Sequence, residues 1–173
     1  VVVAAAGNGD GSGKPFDACK IAPPSEPTSL VVGATDISDH VTSYSNFGSC
    51  VDIFAPGGEG AEWVTSSWNT GDTDYNLDQG TSMATPLVAG YAALLIQQQP
   101  RLCVAQLSRA IINRATRDVV QGLSAKSPNR LRKHALGGWP CKKWRQQYLR
   151  GAAALTLHKL HRLHFYRHQN APN

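Results

Sequence analysis

The sequence lacks several features that mark common classes of protein. It has no apolar run long enough to span a membrane. None of its four cysteines belongs to a C-x-x-C pair, which argues against a zinc ribbon or a thioredoxin-type site. Only 17% of its 173 residues are charged and 42% are hydrophobic, which argues against global disorder and favours a globular domain with a sizeable core.

The start of the sequence lacks an initiator methionine and a basic segment. It opens with Val1-Val2-Val3-Ala4-Ala5-Ala6. Small and β-branched residues without alternation are typical of a strand that is covered on both faces. Because this opening is not a signal peptide, we expect the printed sequence to begin inside a domain.

Acidic residues are absent from the last part of the sequence. Residues 1–132 hold 9 Lys/Arg and 12 Asp/Glu, a net charge of −3, whereas residues 133–173 hold 8 Lys/Arg and no acid, a net charge of +8. The change falls just after "SPNRLRK". It predicts one domain at 1–132 and a basic, histidine-rich tail, disordered or helical, at 133–173.

The tail allows more than one interpretation. Leucines mixed with Lys and Arg over residues 155–167 are compatible with a basic amphipathic helix that binds a membrane or nucleic acid. Histidines within residues 158–168 fall at helical spacings that could hold a metal. A solvated tail or an out-of-frame translation explains the same composition more simply.

Apolar segments alternate with polar loops over residues 1–132. Strands are predicted at 1–6, 29–35 and 50–56, with a weaker signal at 62–68, and residues 69–79 read as an acidic loop. A helix is predicted from Met83 to Gln99, with Pro86 in its first turn and Pro100 after its end. Because this helix is apolar almost all round, we expect it to be central and buried.

A second helix is predicted at about 103–116, where apolar residues recur at helical spacing. Strands alternating with helices indicate an α/β fold with a parallel central sheet.

A serine stands where the first predicted helix begins, in "DQGTSMATPLVAGYAALL" (78–95). At a helix N-terminus, free N–H groups and the helix dipole favour negative charge. Acyl transfer by a serine needs this environment, because the substrate carbonyl becomes an oxyanion. Ser82 is therefore a candidate nucleophile. Position alone favours a simpler role as a helix N-cap.

Three segments resemble one enzyme family. "GTSMATP" followed by "VAG" (80–90) is similar to the nucleophile motif of subtilisin-like serine proteases, particularly the proteinase K-like branch. "AAAGNGD" (4–10) resembles the family's oxyanion segment, and "YSNFGSCVDIFAPG" (44–57) resembles the strand and loop between them. The resemblance covers residues 1–132 and implies the C-terminal part of a three-layer catalytic domain.

The resemblance assigns roles to residues at matching positions. Ser82 would be the nucleophile, and Asn8 would donate its side-chain N–H to the oxyanion beside the Ser82 backbone N–H. Ala5, Ala6 and Gly7 would line the pocket for the substrate side chain that precedes the cleaved bond. The substrate would be a protein or peptide, and the protein would be secreted.

Two structural sites follow from the same resemblance. Residue context alone leaves open whether Cys19 and Cys50 form a disulfide or remain buried thiols. The resemblance favours the disulfide. It also implies a structural calcium site made by Asp52 and the carbonyls of Pro27 and Ser29, all oxygen ligands. No cofactor is implied for catalysis.

A general base is missing from the sequence. In the family, the catalytic Asp and His precede the serine and the oxyanion asparagine. Only seven residues precede Asn8, and none is Asp or His. His40 lies in a polar surface segment and has no counterpart role. We therefore predict that residues 1–173 alone are inactive and need the N-terminal half of the same domain. The alternative is a non-catalytic protein whose basic tail binds anionic partners.

Overall fold

The computed structural model describes residues 1–10 and 12–132, so the predicted tail at 133–173 lies outside the described residues. The elements in this part of the chain are β1 (Val2–Ala5), a 3₁₀ turn (Ala18–Lys20), β2 (Ser29–Thr35), β3 (Ile53–Pro56), β4 (Val64–Ser67), β5 (Tyr75–Asp78), α1 (Thr81–Gln98), α2 (Val104–Asn113), β6 (Thr116–Arg117) and β7 (Arg130–Leu131).

The main sheet has the strand order β1-β2-β3-β7-β6. Its pairs are parallel except for β6 with β7. The central strand β2 is buried along nearly its whole length, which agrees with its continuous apolar run. The predicted α/β fold with a parallel central sheet is confirmed.

Helix α1 packs against β1, β2, β3 and α2, so it is central to the fold. Ala84, Val88, Tyr91 and Leu95 form its buried face. The helix is central and buried along this face, as expected, but its apolar residues Leu87 and Ile96 are 45% and 46% exposed.

The other face of the sheet is covered by loop segments. Val31, Phe54 and Leu131 pack there with Val51 and Val120 in one cluster. The disulfide between Cys19 and Cys50 joins positions 31 residues apart beside this cluster, as predicted.

Several boundaries differ from the predictions. Within the described residues β1 pairs only with β2, and Val2 is 60% exposed, so the start of β1 is not covered by residues 1–132 alone. The predicted loop at 69–79 contains β5, which pairs antiparallel with β4. All but the last residue of β5 are exposed, and a strand without a buried face leaves little apolar signal.

The helices also differ at their ends. Helix α1 begins two residues before Met83, so Pro86 lies inside the helix and not in its first turn. Helix α2 ends at Asn113, because Thr116 pairs with Leu131 in the sheet. Within residues 1–10 and 12–132, no helix is both long and apolar enough to cross a lipid bilayer.

Candidate active site

The loops that follow β1 and β3 meet the start of α1. Asn8 comes three residues after β1, and Gly57 comes directly after β3. The Gly80 N–H donates to the Gly57 carbonyl at 2.9 Å. The carboxyl ends of parallel strands meet at one edge of a sheet, and chemistry in α/β folds gathers there.

The Asn8 side chain is bound to the first residue of the helix. Its Oδ1 accepts hydrogen bonds from the Thr81 backbone N–H at 2.9 Å and from the Thr81 hydroxyl at 2.8 Å. The same hydroxyl accepts from the Gly7 N–H at 3.2 Å. Because Oδ1 is held in this way, the amide nitrogen Nδ2 of Asn8 has a defined direction.

A space beside Gly80 lies within reach of two N–H donors. A Cβ placed on Gly80 would stand 3.1 Å from Asn8 Nδ2 and 3.6 Å from the Ser82 backbone nitrogen. Gly80 adopts φ 149° and ψ 165°, a conformation that only glycine takes without strain. Glycine therefore keeps a side chain away from Asn8 Nδ2 and from the Ser82 backbone nitrogen.

Ser82 is the second residue of α1, and its side chain is exposed. The N-cap is Gly80, so the simpler interpretation of Ser82 as the N-cap is wrong. In the part of the chain that the structure describes, the Ser82 hydroxyl makes no hydrogen bond. Pro86 has no N–H, so it cannot satisfy the Ser82 carbonyl four residues earlier.

Asn46 holds the Asn8 loop in place, a role that the sequence analysis missed. It is fully buried. Its Oδ1 accepts from the N–H groups of Gly9 at 3.0 Å and Phe16 at 3.1 Å. Its Nδ2 donates to the Ala6 carbonyl at 2.9 Å. Asn46 lies in the segment "YSNFGSCVDIFAPG", but the resemblance of that segment assigned no role to this side chain, and contacts 30 to 40 positions away leave no local pattern.

The three residues predicted to line the substrate pocket lead from β1 to Asn8. Ala6 is fully buried, whereas Ala5 and Gly7 are half-buried. Gly7 has φ 98°, and a Cβ there would collide with Asn46 Nδ2 at 2.6 Å. Gly7 therefore cannot carry a side chain without displacing Asn46, which holds the loop in place.

His40 is the one histidine in residues 1–132, and it lies in the loop after β2. Its Nδ1 lies 3.8 Å from a carboxylate oxygen of Asp36, and its side chain is 51% exposed. Its backbone pairs with Gln121. These contacts place it with Asp36 and Gln121, and none involves the residues around Ser82.

The predicted calcium ligands lie at the opposite edge of the sheet, where β2 and β3 begin. Asp52 Oδ2 accepts from the Val31 N–H at 2.8 Å. Burial raises the pKa of the Asp52 carboxyl, although that N–H and Arg130 act in the other direction. Ser29 opens β2, just after Pro27. Carboxylate and carbonyl oxygens are ligands that Ca²⁺ prefers, and the calcium site at Asp52, Pro27 and Ser29 stays a prediction.

A different group of possible metal ligands does not make a metal site. Among the described residues, Asp17, Cys19 and Cys50 bring three ligand atoms together. The two cysteines form the disulfide, so their sulfur atoms are not available as thiolates. Asp17 accepts a hydrogen bond from the Cys19 N–H at 3.1 Å and is part of the local turn.

Fold and site together define an α/β protein with an exposed serine at the start of a central helix and an amide held beside it. The chain belongs to the subtilase family, whose sequence model matches residues 1–135.

Named relatives agree with this assignment. The chain is 42% identical over 130 residues to an extracellular serine proteinase of Thermus sp. strain Rt41A, covering 75% of this chain and 30% of that protein. It is 43% identical over 115 residues to a cuticle-degrading protease of Metarhizium anisopliae, covering 66% of this chain and 28% of that protein. The chain thus spans less than a third of the length of either relative.

A solved structure has the same fold. The crystal structure of a cold-adapted subtilisin-like serine proteinase is 40% identical to this chain, with a TM-score of 0.66. The match covers 77% of this chain and 44% of that structure.

Proposed function

We propose that this chain is part of a secreted serine endopeptidase in which Ser82 forms an acyl-enzyme. The Ser82 oxygen attacks the carbonyl carbon of a peptide bond, and the carbonyl oxygen takes up the negative charge. Asn8 Nδ2 and the Ser82 backbone N–H bind that oxygen. The base that accepted the Ser82 proton gives it to the leaving nitrogen, so the amine departs; water then attacks the ester, which releases the carboxylic acid and restores the Ser82 hydroxyl.

One observation carries this proposal. A Cβ on Gly80 would stand 3.1 Å from Asn8 Nδ2 and 3.6 Å from the Ser82 nitrogen, so the glycine leaves both donors accessible to a substrate oxygen. Two N–H donors at a helix N-terminus stabilise an oxyanion far better than they stabilise a neutral carbonyl. A residue serving only as a helix cap would not require an open position between these donors.

The hydroxyl proton of Ser82 needs an acceptor before the attack can occur. Residues 1–132 contain only His40, and the contacts of His40 are with Asp36 and Gln121. In the proposed mechanism, the base comes from the N-terminal half of the same catalytic domain. Residues 1–173 alone would therefore hold both oxyanion donors but would not hydrolyse a peptide.

The remaining assignments complete the proposal. Ala5, Ala6 and Gly7 form one wall of the pocket for the substrate side chain before the cleaved bond. Asp52 binds a structural Ca²⁺ with the carbonyls of Pro27 and Ser29, and catalysis itself needs no cofactor. Secretion is supported by the Cys19–Cys50 disulfide and by the extracellular Thermus relative.

The chemical test mixes residues 1–173 with an activated peptide ester and follows release of the alcohol. We expect no burst and no turnover beyond a Ser82→Ala control. A stoichiometric burst that Ser82→Ala abolishes would show that a base is already present.

The genetic test determines the coding sequence upstream of Val1. We expect the Asp and His motifs of the family, which would supply the base. Their absence, together with salt-dependent binding of the full chain to nucleic acid or anionic vesicles, would favour the non-catalytic alternative.

A further inference from the structure

A cleft outside the proposed catalytic position opens where β2 and β3 end. Its volume is 330 Å³. It combines three carboxylate residues with a tryptophan and aliphatic walls. The lining residues are Asp36, Ile37, Asp39, Pro56, Gly58, Glu62, Trp63 and Val64.

The charge and shape of this lining select one kind of ligand group. The lining contains acids but no lysine or arginine. Trp63 and Ile37 are exposed by 46% and 72%, so the cleft also offers apolar surface to a ligand. Lysine and arginine side chains combine an apolar stem with a cationic end, and cations bind favourably over a tryptophan ring.

The side chains that line the cleft differ in the hydrogen bonds that they already make. The Trp63 indole N–H donates to the Gly60 carbonyl at 2.6 Å, which fixes the orientation of the ring. Asp36 Oδ1 already accepts from the N–H groups of Ser38 and His40, each at 2.8 Å. In the described part of the chain, the Glu62 carboxylate makes no hydrogen bond or ion pair, so it can accept a ligand cation.

The cleft is joined to the start of the nucleophile helix through the backbone. Gly58 lines the cleft, and its carbonyl accepts from the Tyr44 hydroxyl at 2.5 Å. The adjacent Gly57 carbonyl accepts from the Gly80 N–H at 2.9 Å. We expect a polypeptide bound beside Gly80 to extend along the end of β3 towards the cleft.

We propose that this cleft binds a lysine or arginine side chain of the polypeptide substrate, with Glu62 as its principal carboxylate and Trp63 beneath the cation. The identification of the ligand as a substrate rests on the proposed function. Binding of the cationic side chain does not require the reaction, so the two ideas can fail separately.

The experiment titrates residues 1–173 with the peptide acetyl-Ala-Ala-Arg-Ala-amide and follows the indole N–H signal of Trp63 by NMR. Trp63→Phe assigns that signal. The reference ligand replaces arginine by citrulline, which has nearly the same shape and no charge. We expect the arginine peptide to bind about three- to tenfold more tightly, and salt to reduce this preference.

Two variants test whether Glu62 causes the preference for the arginine peptide. Glu62→Gln should abolish it, whereas Glu26→Gln, which changes an exposed glutamate at the other edge of the sheet, should leave it unchanged. Circular dichroism checks that both variants are folded. Equal binding of arginine and citrulline peptides, or a preference that survives Glu62→Gln, would overturn the proposal. The ester assay at Ser82 tests the proposed function independently, because it does not depend on this cleft.

Discussion

Asn8 Oδ1 accepts a 2.9 Å hydrogen bond from the Thr81 backbone N–H, although 73 residues separate the two positions. This contact does two things at once. It satisfies one of the free N–H groups at the start of α1, and it directs Asn8 Nδ2 to the space beside Gly80. The same asparagine thus stabilises the helix end and, in the proposed mechanism, supplies a donor for an oxyanion.

Replacing Gly80 by alanine should damage both the fold and the anion-binding position. The new Cβ would lie 3.1 Å from Asn8 Nδ2, and the backbone has φ 149°. We expect a loss of about 1–3 kcal/mol in the free energy of unfolding, measured with urea. Gly90→Ala is the matched control, because a Cβ there meets nothing within 4 Å. It should be neutral or stabilise by up to about 1 kcal/mol. Equal effects of the two substitutions would contradict this account of Gly80.

Asn46→Ala should be strongly destabilising. It leaves the N–H groups of Gly9 and Phe16 and the carbonyl of Ala6 without their partner. We expect a loss of about 2 kcal/mol or more in unfolding free energy, because an unsatisfied buried group costs about 1–3 kcal/mol and the two N–H groups are partly buried. Asn69→Ala, at an exposed loop position, should change the stability by less than about 0.5 kcal/mol. A loss below 1 kcal/mol for Asn46→Ala would show that the loop does not depend on this side chain.

Removing the disulfide should lower stability without affecting the helix start. The bond closes a loop with a sequence separation of 31, which corresponds to about 3–4 kcal/mol of unfolded-state entropy. The double variant Cys19→Ser/Cys50→Ser should show this loss in urea unfolding. Cys103→Ser, which changes an exposed free cysteine, should have little effect. If the double variant and its control unfold at the same urea concentration, the bond does not constrain the chain as described.

The raised pKa of Asp52 predicts a particular dependence of stability on pH. Burial raises this pKa above the unfolded value of about 3.9, so the folded state holds the proton more tightly. As pH rises from about 4 through the folded pKa, the folded state loses stability from this group. Asp52→Asn should remove this trend in thermal unfolding measured across the acidic range.

Bound Ca²⁺ should counter the effect of burial on the Asp52 carboxyl. A bound Ca²⁺ favours the ionised carboxylate, so added Ca²⁺ should raise the melting temperature above the folded pKa and have less effect below it. Mg²⁺ at the same concentration is the control, because it fits such irregular oxygen sites less well. A calcium effect that persists in Asp52→Asn would place the ion elsewhere.

The strands were predictable where burial is continuous. Strand β2 was predicted at 29–35 and spans Ser29–Thr35, because it lies between β1 and β3 and needs apolar residues at every position. Strand β5 was missed because it belongs to a separate, exposed two-stranded sheet. A strand without a buried face places few demands on its sequence.

The candidate site could be predicted only in part, because several of its contacts join residues that are far apart in the sequence. Ser82 was singled out by the resemblance of "GTSMATP" to the family's nucleophile motif, because its position at the start of an apolar helix alone favours an N-cap. Asn46 and Thr81 act through hydrogen bonds to residues distant in the sequence. Such contacts depend on the register of β1 beside β2 and on the position of α1. No local pattern around Asn46 or Thr81 encodes either feature.

The central claim is that Asn8 and Ser82 share one oxyanion position, and a peptide boronic acid tests it most directly. Boron accepts a lone pair from the Ser82 hydroxyl, water takes the proton, and a boronate oxygen occupies the space beside Gly80. Boron-11 NMR of residues 1–173 should show a tetrahedral adduct that Ser82→Ala removes.

Asn8→Asp is the decisive variant in this measurement, because it keeps the oxygen that accepts from Thr81 and replaces the donor Nδ2 by a carboxylate oxygen. We predict that it weakens the adduct about 100-fold or more, whereas Asn69→Ala leaves it unchanged. A tetrahedral adduct of equal affinity in the wild type and in Asn8→Asp would contradict the account.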